Sequence, residues 1–432
     1  MPSAEPAPGT SFGTQILARA DALAAITEDP PGVTRSYLTA QHRQAGELIA
    51  QWMREAGMSV HWDALGNVVG RYAGQTADAP VVMTGSHMDS VRNAGRYDGL
   101  FGILSPIACV ADLHRRARRL PVAIEVVAFG DEEGVRFGVS LIGSKAMAGR
   151  FDAAWLDQAD ADGVTMREAL QRFGGDPQAV ASLDRRGGAV VAFVESHIEQ
   201  GPVLLQAGLP LGIVTAIAGG SRIRCAVTGL AGHAGTVPMG ARQDALAAAA
   251  EMVLALERHC TEHPGLVGTV GRMTVLPGAI NVIPQDVSFT IDLRSGDDAT
   301  RHAALDAVRE RCRAIAARRG VRLEFDVFLE LGAAPCDARL QQMLADAVAA
   351  QGLPVHRLPS GAGHDAMEFP PVCPMAMLFV RCGNGGISHH PSESLTASDA
   401  QVATAALLHF FEHVDPSRVR GPSGPHAVGG RA

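Results

Sequence analysis

Histidine and acidic side chains recur at four places along the chain, and each place directly follows a short apolar segment. The first reads Thr84-Gly-Ser-His-Met-Asp-Ser90 and continues through residues 93–99, so it offers His87, Asp89 and Asp98. Neutral imidazole and carboxylate groups together are ligands that divalent cations of borderline hardness prefer. Taken alone, the same pattern is also compatible with a solvated polar loop.

Three further segments offer the same kinds of side chain. Residues 122–129 form an apolar run that ends in two adjacent glutamates, of which one could bind a cation while its neighbour accepts a proton. The apolar run 190–194 leads to a histidine, and the run 375–380 leads to a glycine-rich loop with a histidine pair. Singly, such acids are often helix caps or turn residues, and such histidines are often core or surface residues. The candidate residues in these segments are Glu132, Glu133, His197, His389 and His390.

The joint pattern favours one shared site. All four predicted strands end at histidine or acidic residues, and open parallel sheets place their ligand crevices at the carboxyl ends of strands. A catalytic zinc ion with an open position uses three protein ligands, fewer than the chain offers here. A dinuclear centre with one bridging carboxylate accommodates the whole set. That set is His87, Asp98, Glu133, His197 and His389.

Hydrophobic periodicity predicts the α/β class, with a mixed, mostly parallel sheet flanked by helices. Because the last candidate loop follows a segment of different pattern, residues 218–330 are expected to form an inserted domain within a catalytic domain made of residues 1–217 and 331–432. The insert has the order βαββαβ, typical of a ferredoxin-like sandwich. The glycine-rich stretches 212–219 and 332–335 are hinge candidates. Expected insert elements are strands 221–228, 269–276, 287–293 and 321–327 and helices 241–259 and 299–320; outside it, helices 13–26, 36–57 and 102–119 and strands 58–62, 67–72 and 81–84 are expected.

Composition narrows the classes of partner. The 432 residues carry a net charge of −8 and are 47% hydrophobic, which argues against a nucleic-acid surface and favours small-molecule partners. No apolar run reaches the length of a membrane span, and the first dozen residues lack the features of a secretory signal. The seven cysteines have no C-x-x-C spacing and lie mostly in apolar runs, so we expect reduced thiols and a cytoplasmic protein.

Nine motifs together resemble those of metal-dependent amidohydrolases of the M20 peptidase clan, and within it the branch of allantoate amidohydrolases and N-carbamoyl-L-amino-acid hydrolases. They are GSHMDS, YDG, DEEGVRF, HIEQGPVL, GHAGTVPM, PGAINVIP, DLRS, SGAGHDA and GGISHHP, and the resemblance runs from about residue 13 to residue 413.

The resemblance implies that His87, Asp98 and His197 bind one divalent metal ion, while Asp98, Glu133 and His389 bind a second, so that Asp98 bridges the two. Asp89 is then expected to orient the ring of His87, and Glu132 to act as the general base. The family usually has a small residue in place of His390. Register with Ser388 makes His389 the ligand, although His390 could substitute for it.

The same resemblance implies that the inserted domain is a lid that also joins two subunits into a homodimer. His233 is expected to polarise the scissile carbonyl from the partner subunit, and Asn281 and Arg294 to hold the substrate carboxylate. Without the resemblance, His233 would be interpreted as a turn residue that caps a helix, and Asn281 and Arg294 could equally be an exposed surface pair. The remaining expected pocket residues are Gln200, Gly361 and His364.

The predicted reaction is hydrolysis of a ureido C–N bond in a small carboxylate substrate, with two divalent ions (zinc, manganese or cobalt) as cofactors. Allantoate is the first expectation, and it would yield ureidoglycine or ureidoglycolate, ammonia and CO2. The alternative is an N-carbamoyl-L-amino acid or β-ureidopropionate. An aminoacylase or dipeptidase, or a catalytically silent protein that binds ureido compounds, also stays open.

Overall fold

The computed structural model describes residues 11–419 of the chain. Residues 1–10, which the sequence predicts to be loose, and residues 420–432, most of the predicted frayed tail, lie outside the described residues. Among residues 11–419, no helix combines the length and the apolar character that a membrane crossing requires.

Six helices and six strands make up the first half of the described chain. The helices are Phe12–Ala24 (α1), Ala40–Glu55 (α2), Leu100–Arg115 (α3), Ile142–Met147 (α4), Met166–Phe173 (α5) and Val203–Ala207 (α6). The strands are Ser59–Trp62 (β1), Val68–Tyr72 (β2), Val81–His87 (β3), Ala123–Phe129 (β4), Val190–Ile198 (β5) and Leu211–Ile217 (β6).

The second half adds nine strands and five helices within the described residues. The strands are Gly219–Thr228 (β7), Gly232–His233 (β8), Leu266–Leu276 (β9), Val282–Ile283 (β10), Asp286–Ser295 (β11), Arg322–Leu331 (β12), Ala334–Pro335 (β13), Arg357–Ser360 (β14) and Met375–Val380 (β15). The helices are Ala245–Glu262 (α7), Asp298–Arg319 (α8), Ala338–Ala349 (α9), Ala397–His413 (α10) and Pro416–Val419 (α11).

The contacts between residues divide the chain into two compact units. Unit 1 comprises residues up to Thr215 together with Cys336–Leu358 and the chain from His364 onward. Unit 2 comprises Ala216–Pro335 and Pro359–Gly363. Unit 2 thus contains the segment that the sequence suggests is an insert.

Unit 1 is built on a sheet whose strands follow the order β1-β2-β4-β3-β5-β15-β6. The four central strands β4, β3, β5 and β15 are parallel, whereas the strands on either side of them run antiparallel to their neighbours. The central strands are buried at every position, because their runs of valine, alanine and phenylalanine pack on both faces. The predicted mixed, mostly parallel α/β class is confirmed.

Unit 2 contains a four-stranded antiparallel sheet of order β12-β7-β11-β9. Alternate residues of β7 and β11 are buried, and they pack with α7 and α8 into one core that includes Phe289, Met252 and Val308. The strands and helices of this sheet follow the predicted order βαββαβ. The two-residue strands β8 and β10 pair with each other outside it.

Two central strands are longer than the apolar runs in the sequence predict. His87, expected in a turn beyond its strand, is the last residue of β3, and β5 continues past residue 194 to Ile198. The reason is that polar residues of these strands are buried against polar partners, either in the other strand or in helix α3. The Ser86 hydroxyl donates to a Glu195 carboxylate oxygen at 2.6 Å, and the hydroxyls of Ser105 and Ser196 lie 2.7 Å apart.

The glycine-rich stretch 212–219, a hinge candidate in the sequence, forms most of β6 and the start of β7, and the boundary between the two units falls within it. Close packing explains one of its glycines. A side-chain carbon at Gly212 would lie 2.4 Å from a methyl carbon of Leu358 and 3.0 Å from one of Leu204. The glycine therefore permits tight packing in a strand.

The glycine of the first motif carries a testable constraint on β3. Gly85 has a φ of +145°, and a β-carbon there would lie 1.9 Å from the carbonyl oxygen of Val127 on β4. We expect Gly85→Ala to lower the free energy of unfolding by more than about 3 kcal/mol, because the two strands must separate. Urea denaturation measures the change. Gly271→Ala on β9, where no atom lies within 4 Å, is the control, and its expected change stays below about 1 kcal/mol. Equal stability of the two variants would contradict the prediction.

Candidate metal centre

The carboxyl ends of the four parallel strands bring together all five side chains predicted to bind metal. His87 ends β3 and His197 is the penultimate residue of β5. Asp98 follows β3 and Glu133 follows β4, while His389 lies in the loop after β15. Parallel neighbours end at the same edge of a sheet, so segments up to about 300 residues apart in sequence converge.

Asp98 lies at the centre of this group and is 7% exposed. Its Oδ1 lies 3.3 Å from Nε2 of His197 and 3.6 Å from Nε2 of His87, whereas its Oδ2 lies 3.0 Å from Nε2 of His389. The two oxygens of one carboxylate therefore face different histidines, which is the arrangement a bridging ligand needs.

In their neutral form, the rings of His87 and His197 present nitrogen lone pairs to Asp98. Nδ1 of His87 lies 3.1 Å from the carbonyl oxygen of Asp89, and Nδ1 of His197 lies 2.8 Å from that of Ile198. A carbonyl only accepts hydrogen bonds, so in a neutral ring the proton is on Nδ1 and the lone pair is on Nε2. The backbone N–H of Gly99 donates to Nε2 of His197 at 3.3 Å, in agreement with this tautomer.

Two overlapping donor groups fit a pair of cations. His87, Asp98 and His197 form one group and Asp98, Glu133 and His389 the other, with the ligand atoms of each group within 4.8 Å of one another. Oδ1 of Asp98 is buried without a hydrogen-bond donor among residues 11–419. Two ligand atoms at about 2 Å from one tetrahedral ion lie about 3.3 Å apart, close to the spacing seen here. Further groups of this size are His87 with Glu132 and Glu133, and Glu195 with His197 and His364.

Burial and the mutual contacts of these groups shift their pKa values. Burial lowers the pKa of His87 and His197, but the carboxylates of Asp98 and, for His87, Asp89 outweigh it and raise both pKa values. Burial alone would raise the pKa of Asp98, yet the neighbouring imidazole rings of His197, His389 and His87 hold that pKa well below its usual range. Protons therefore compete with cations for these rings as the pH falls.

The two adjacent glutamates lie in a loop that follows β4. Burial is the main cause that raises the pKa of Glu132 well above its usual value and that of Glu133 to about 7. The loop is fixed at its start, where the side-chain oxygen of Asn67 accepts the Gly130 N–H at 2.8 Å. It is also fixed at Glu132, whose carbonyl accepts the Leu141 N–H at 3.0 Å.

Asp89 joins two of the loops that carry the site. Its Oδ1 accepts the backbone N–H of Glu132 at 3.1 Å and its Oδ2 accepts that of Glu133 at 3.2 Å. The sequence prediction gave this carboxylate the role of orienting His87. The carboxylate lies 3.6 Å from Nδ1 of His87, farther than the backbone oxygen of Asp89 itself. The side chain of Asp89 thus contacts the glutamate loop more closely than the histidine ring.

Of the histidine pair, the structure brings only His389 to Asp98. Nε2 of His389 also lies 3.5 Å from Glu133 Oε1. His390 is exposed, and its Nδ1 accepts the backbone N–H of Ser392 at 3.1 Å.

Two of the expected substrate-binding residues lie beside this centre. Nε2 of Gln200 is 3.0 Å from Oδ2 of Asp98 and 3.3 Å from Nε2 of His389, and its Oε1 is buried without a partner among the described residues. His364 is buried, and its ring packs edge-on against that of His197 with 4.5 Å between the ring centres.

The other expected substrate residues lie in unit 2 and form two neighbouring pairs. The Asn281 carbonyl accepts the Ala234 N–H at 2.9 Å, so Asn281 is next to the exposed turn of His233. Arg294 donates to the carbonyl of Gly361 at 2.8 Å, and through two nitrogens to Asp292 at 2.8 and 3.0 Å.

Sequence reasoning missed a buried arginine that supports the first loop. Arg35 is 1% exposed and donates through its guanidinium to the carbonyls of Met88 at 2.9 Å and Ile26 at 3.1 Å. Its backbone exchanges two further hydrogen bonds with Ser90, one to the hydroxyl and one from the amide. A guanidinium bonded to carbonyls leaves no spacing pattern in a sequence, so no sequence signal identified Arg35.

Comparisons with known proteins identify the family of the chain. The model of the peptidase family M20/M25/M40 matches residues 83–413. The chain is 42% identical over 398 residues to an N-carbamoyl-L-amino acid amidohydrolase of Geobacillus stearothermophilus, an alignment that covers 92% of this chain and 97% of the relative. It is 38% identical over 432 residues to allantoate deiminase 2 of Glycine max, with 93% and 89% covered.

A solved structure has the same architecture. The crystal structure of an amidase of the hydantoinase/carbamoylase family from Burkholderia multivorans superposes with a TM-score of 0.88 at 35% identity, covering 96% of this chain and 99% of that one. The resemblance predicted from the nine motifs is confirmed. Because the family model matches residues 83–413, well over half of the sequence, the chain belongs to the peptidase family M20/M25/M40.

Proposed function

We propose that the protein is a dinuclear metal-dependent amidohydrolase that cleaves a ureido C–N bond of a small carboxylate substrate. One observation supports this most: buried Asp98 directs its two oxygens at histidine Nε2 atoms, and its Oδ1 has no hydrogen-bond donor among residues 11–419. Zinc, manganese or cobalt would suit the mixed imidazole and carboxylate ligands. The proposed ligands are His87, Asp98 and His197 for one cation, and Asp98, Glu133 and His389 for the other.

The cations, when bound, would polarise the ureido carbonyl and lower the pKa of the attacking water. Glu132 belongs to neither of the two proposed ligand sets, and its burial raises its pKa, which makes it a stronger base. In our proposal Glu132 takes a proton from the attacking water. It then delivers that proton to the leaving nitrogen. The water oxygen has bonded to the carbonyl carbon, so the C–N bond breaks to give a neutral amine and a carbamate that decomposes to ammonia and CO2.

Arg294 is the proposed anchor for the substrate carboxylate. A guanidinium has five N–H donors, and the hydrogen bonds of Arg294 to Asp292 and Gly361 use three of them. The two that remain are enough for a bidentate carboxylate contact. Asp292 holds the guanidinium plane in place, so little side-chain freedom is lost when the substrate binds. The other proposed substrate residues are Gln200, His233, Asn281, Gly361 and His364.

We rank allantoate first as substrate and an N-carbamoyl-L-amino acid second. Relatives named for each of these activities match nearly the whole chain at similar identity, and both substrates present a ureido group beside a carboxylate. A dipeptidase or aminoacylase, or a silent ureido-binding protein, is a weaker proposal. All five proposed metal ligands and Glu132 are present, which argues against a catalytically silent protein.

We further propose a homodimer that forms through unit 2 and a location in the cytoplasm. Ten of the thirteen exposed large apolar side chains among the described residues belong to unit 2, although it is the smaller unit. Its strand β9 lies at a sheet edge and exposes Val267, Met273 and Leu276. All seven cysteines are free thiols, which suits a reducing compartment.

Ammonia release tests the activity and its substrate together. We expect the metal-loaded protein to release ammonia from allantoate faster than from N-carbamoyl-L-amino acids, and not to cleave a dipeptide. Removal of the metal by a chelator should abolish the reaction, and addition of Zn²⁺ or Mn²⁺ should restore it. The reason is that a bound cation lowers the pKa of the attacking water to about 7. Turnover that persists after complete metal removal would refute the proposal. Turnover of N-carbamoyl-L-amino acids but not of allantoate would reverse the ranking of the two substrates.

The adjacent glutamates provide a matched pair of variants. We expect Glu132→Gln to keep two cations per chain but to lose about 10²- to 10⁴-fold in kcat, because an amide cannot accept the proton. Glu133→Gln should instead lose affinity for one cation. Elemental analysis of metal content and steady-state kinetics measure the two effects. Near wild-type turnover in Glu132→Gln would show that another group is the base.

Sedimentation velocity tests the proposed dimer. Ile280, in the loop after β9, is wholly exposed, and we expect Ile280→Asp to shift the protein from dimer to monomer because the charge would be buried in the interface. Val355→Asp, at an exposed apolar position of unit 1, is the control and should leave the dimer intact. A wild-type protein that sediments as a monomer would contradict the proposal.

A further inference from the structure

A buried glutamate spans two of the loops that carry the metal centre. Glu393 lies in the loop after β15 and is 4% exposed. Its Oε1 accepts the backbone N–H of Tyr97 at 2.8 Å and that of Asp98 at 3.1 Å. Its Oε2 accepts the hydroxyl of Ser388 at 2.7 Å. Three donors from two loops, separated by nearly 300 residues of sequence, therefore converge on one carboxylate.

Both loops lead directly to ligands of the same proposed cation. The bond from the Asp98 N–H holds the backbone of Asp98 itself, and Ser388 immediately precedes His389. The Ser388 hydroxyl also lies 3.4 Å from Oδ2 of Asp98, the oxygen that faces Nε2 of His389 at 3.0 Å. The strands β3 and β15 are not neighbours, because β5 lies between them in the sheet. Glu393 thus supplies a direct connection that strand pairing does not.

The backbone on both sides of this contact is constrained. His389 has a φ of +55°, a left-handed conformation that is unfavourable for a residue with a side chain and needs support from its surroundings. Two hydrogen bonds flank His389. On one side the Ser388 hydroxyl donates to the Glu393 carboxylate, and on the other the Glu393 N–H donates to the His390 carbonyl at 3.0 Å. On the opposite side, a β-carbon at Gly95 would lie 2.4 Å from Oε1 of Glu393, so the glycine permits the loop to approach.

Glu393 is not one of the grouped metal ligands, and its oxygens are occupied by three donors. We propose that Glu393 is a positioning residue, which sets the distance between Asp98 and His389 and thereby determines the affinity for the cation they share. The inference rests on the proposed metal centre, but it does not depend on which bond the enzyme cleaves.

The test compares three variants by cation binding and by hydrogen exchange. Glu393→Ala removes all three acceptor contacts, and we expect it to weaken binding of one Zn²⁺ or Mn²⁺ by about 10- to 100-fold in calorimetric titrations. Glu393→Gln keeps an acceptor for both amides, and its NH2 group can donate to the Ser388 hydroxyl, so affinity should stay within about threefold of wild type. In the metal-free protein, the amides of Tyr97 and Asp98 should exchange faster in Glu393→Ala only.

Glu125→Ala is the matched control for loss of a buried carboxylate. Glu125 is also 4% exposed, and it lies within β4, where it pairs with Arg185 at 2.8 Å. We expect this variant to lower the melting temperature without changing cation affinity or exchange at Tyr97 and Asp98.

Two results would overturn the role of Glu393. One is a Glu393→Ala variant that binds both cations as tightly as the wild type. The other is a Glu393→Gln variant whose cation affinity is as low as that of Glu393→Ala. A wild-type protein that binds two cations but hydrolyses no ureido compound would refute the proposed function and leave the positioning role intact.

Discussion

The carboxylate of Asp98 imposes the central electrostatic constraint on unit 1. Its Oδ1 faces the Nε2 lone pairs of the neutral His87 and His197 rings, because the Nδ1 atoms of both rings already lie against backbone carbonyls. Acceptors that face acceptors in a buried site repel one another unless a positive charge lies between them. A proton can supply that charge, as the raised histidine pKa values indicate, and so can a divalent cation. Cation binding and the stability of unit 1 are therefore linked.

Two further carboxylates, those of Asp89 and Glu393, hold the proposed ligands in place although they belong to neither ligand set. Asp89 accepts the amides of Glu132 and Glu133, and Glu393 accepts the amide of Asp98 and the hydroxyl of Ser388. Each of these carboxylates joins loops from two different strands. The geometry of the site thus depends on hydrogen bonds between loops as much as on the sheet, which fixes only where each strand ends.

Much of this arrangement could be predicted from the sequence, and the exceptions share one physical cause. Strand β15 matches its predicted range of residues 375–380 because its apolar run coincides with the strand. Strand β5 was predicted four residues too short, because Glu195 is buried and bonded to a serine on another strand. A buried polar residue whose hydrogen-bond partner is distant in sequence cannot be distinguished, from the neighbouring residues alone, from a polar residue in a loop. Arg35 and Glu393 escaped notice for that reason, since each has a partner more than 50 residues away in sequence.

The same reasoning explains why the motifs do not separate allantoate from N-carbamoyl amino acids. Both substrates share a ureido group and a carboxylate, so any residue that contacts only those groups serves both. The proposed ligands, Glu132 and Arg294 are all of this kind. Discrimination must come from side chains that contact the rest of the substrate, where allantoate has a second polar ureido arm and an amino acid has its own side chain. A polar lining would favour the first and an apolar lining the second, so substrate choice is decided by residues outside the shared motifs.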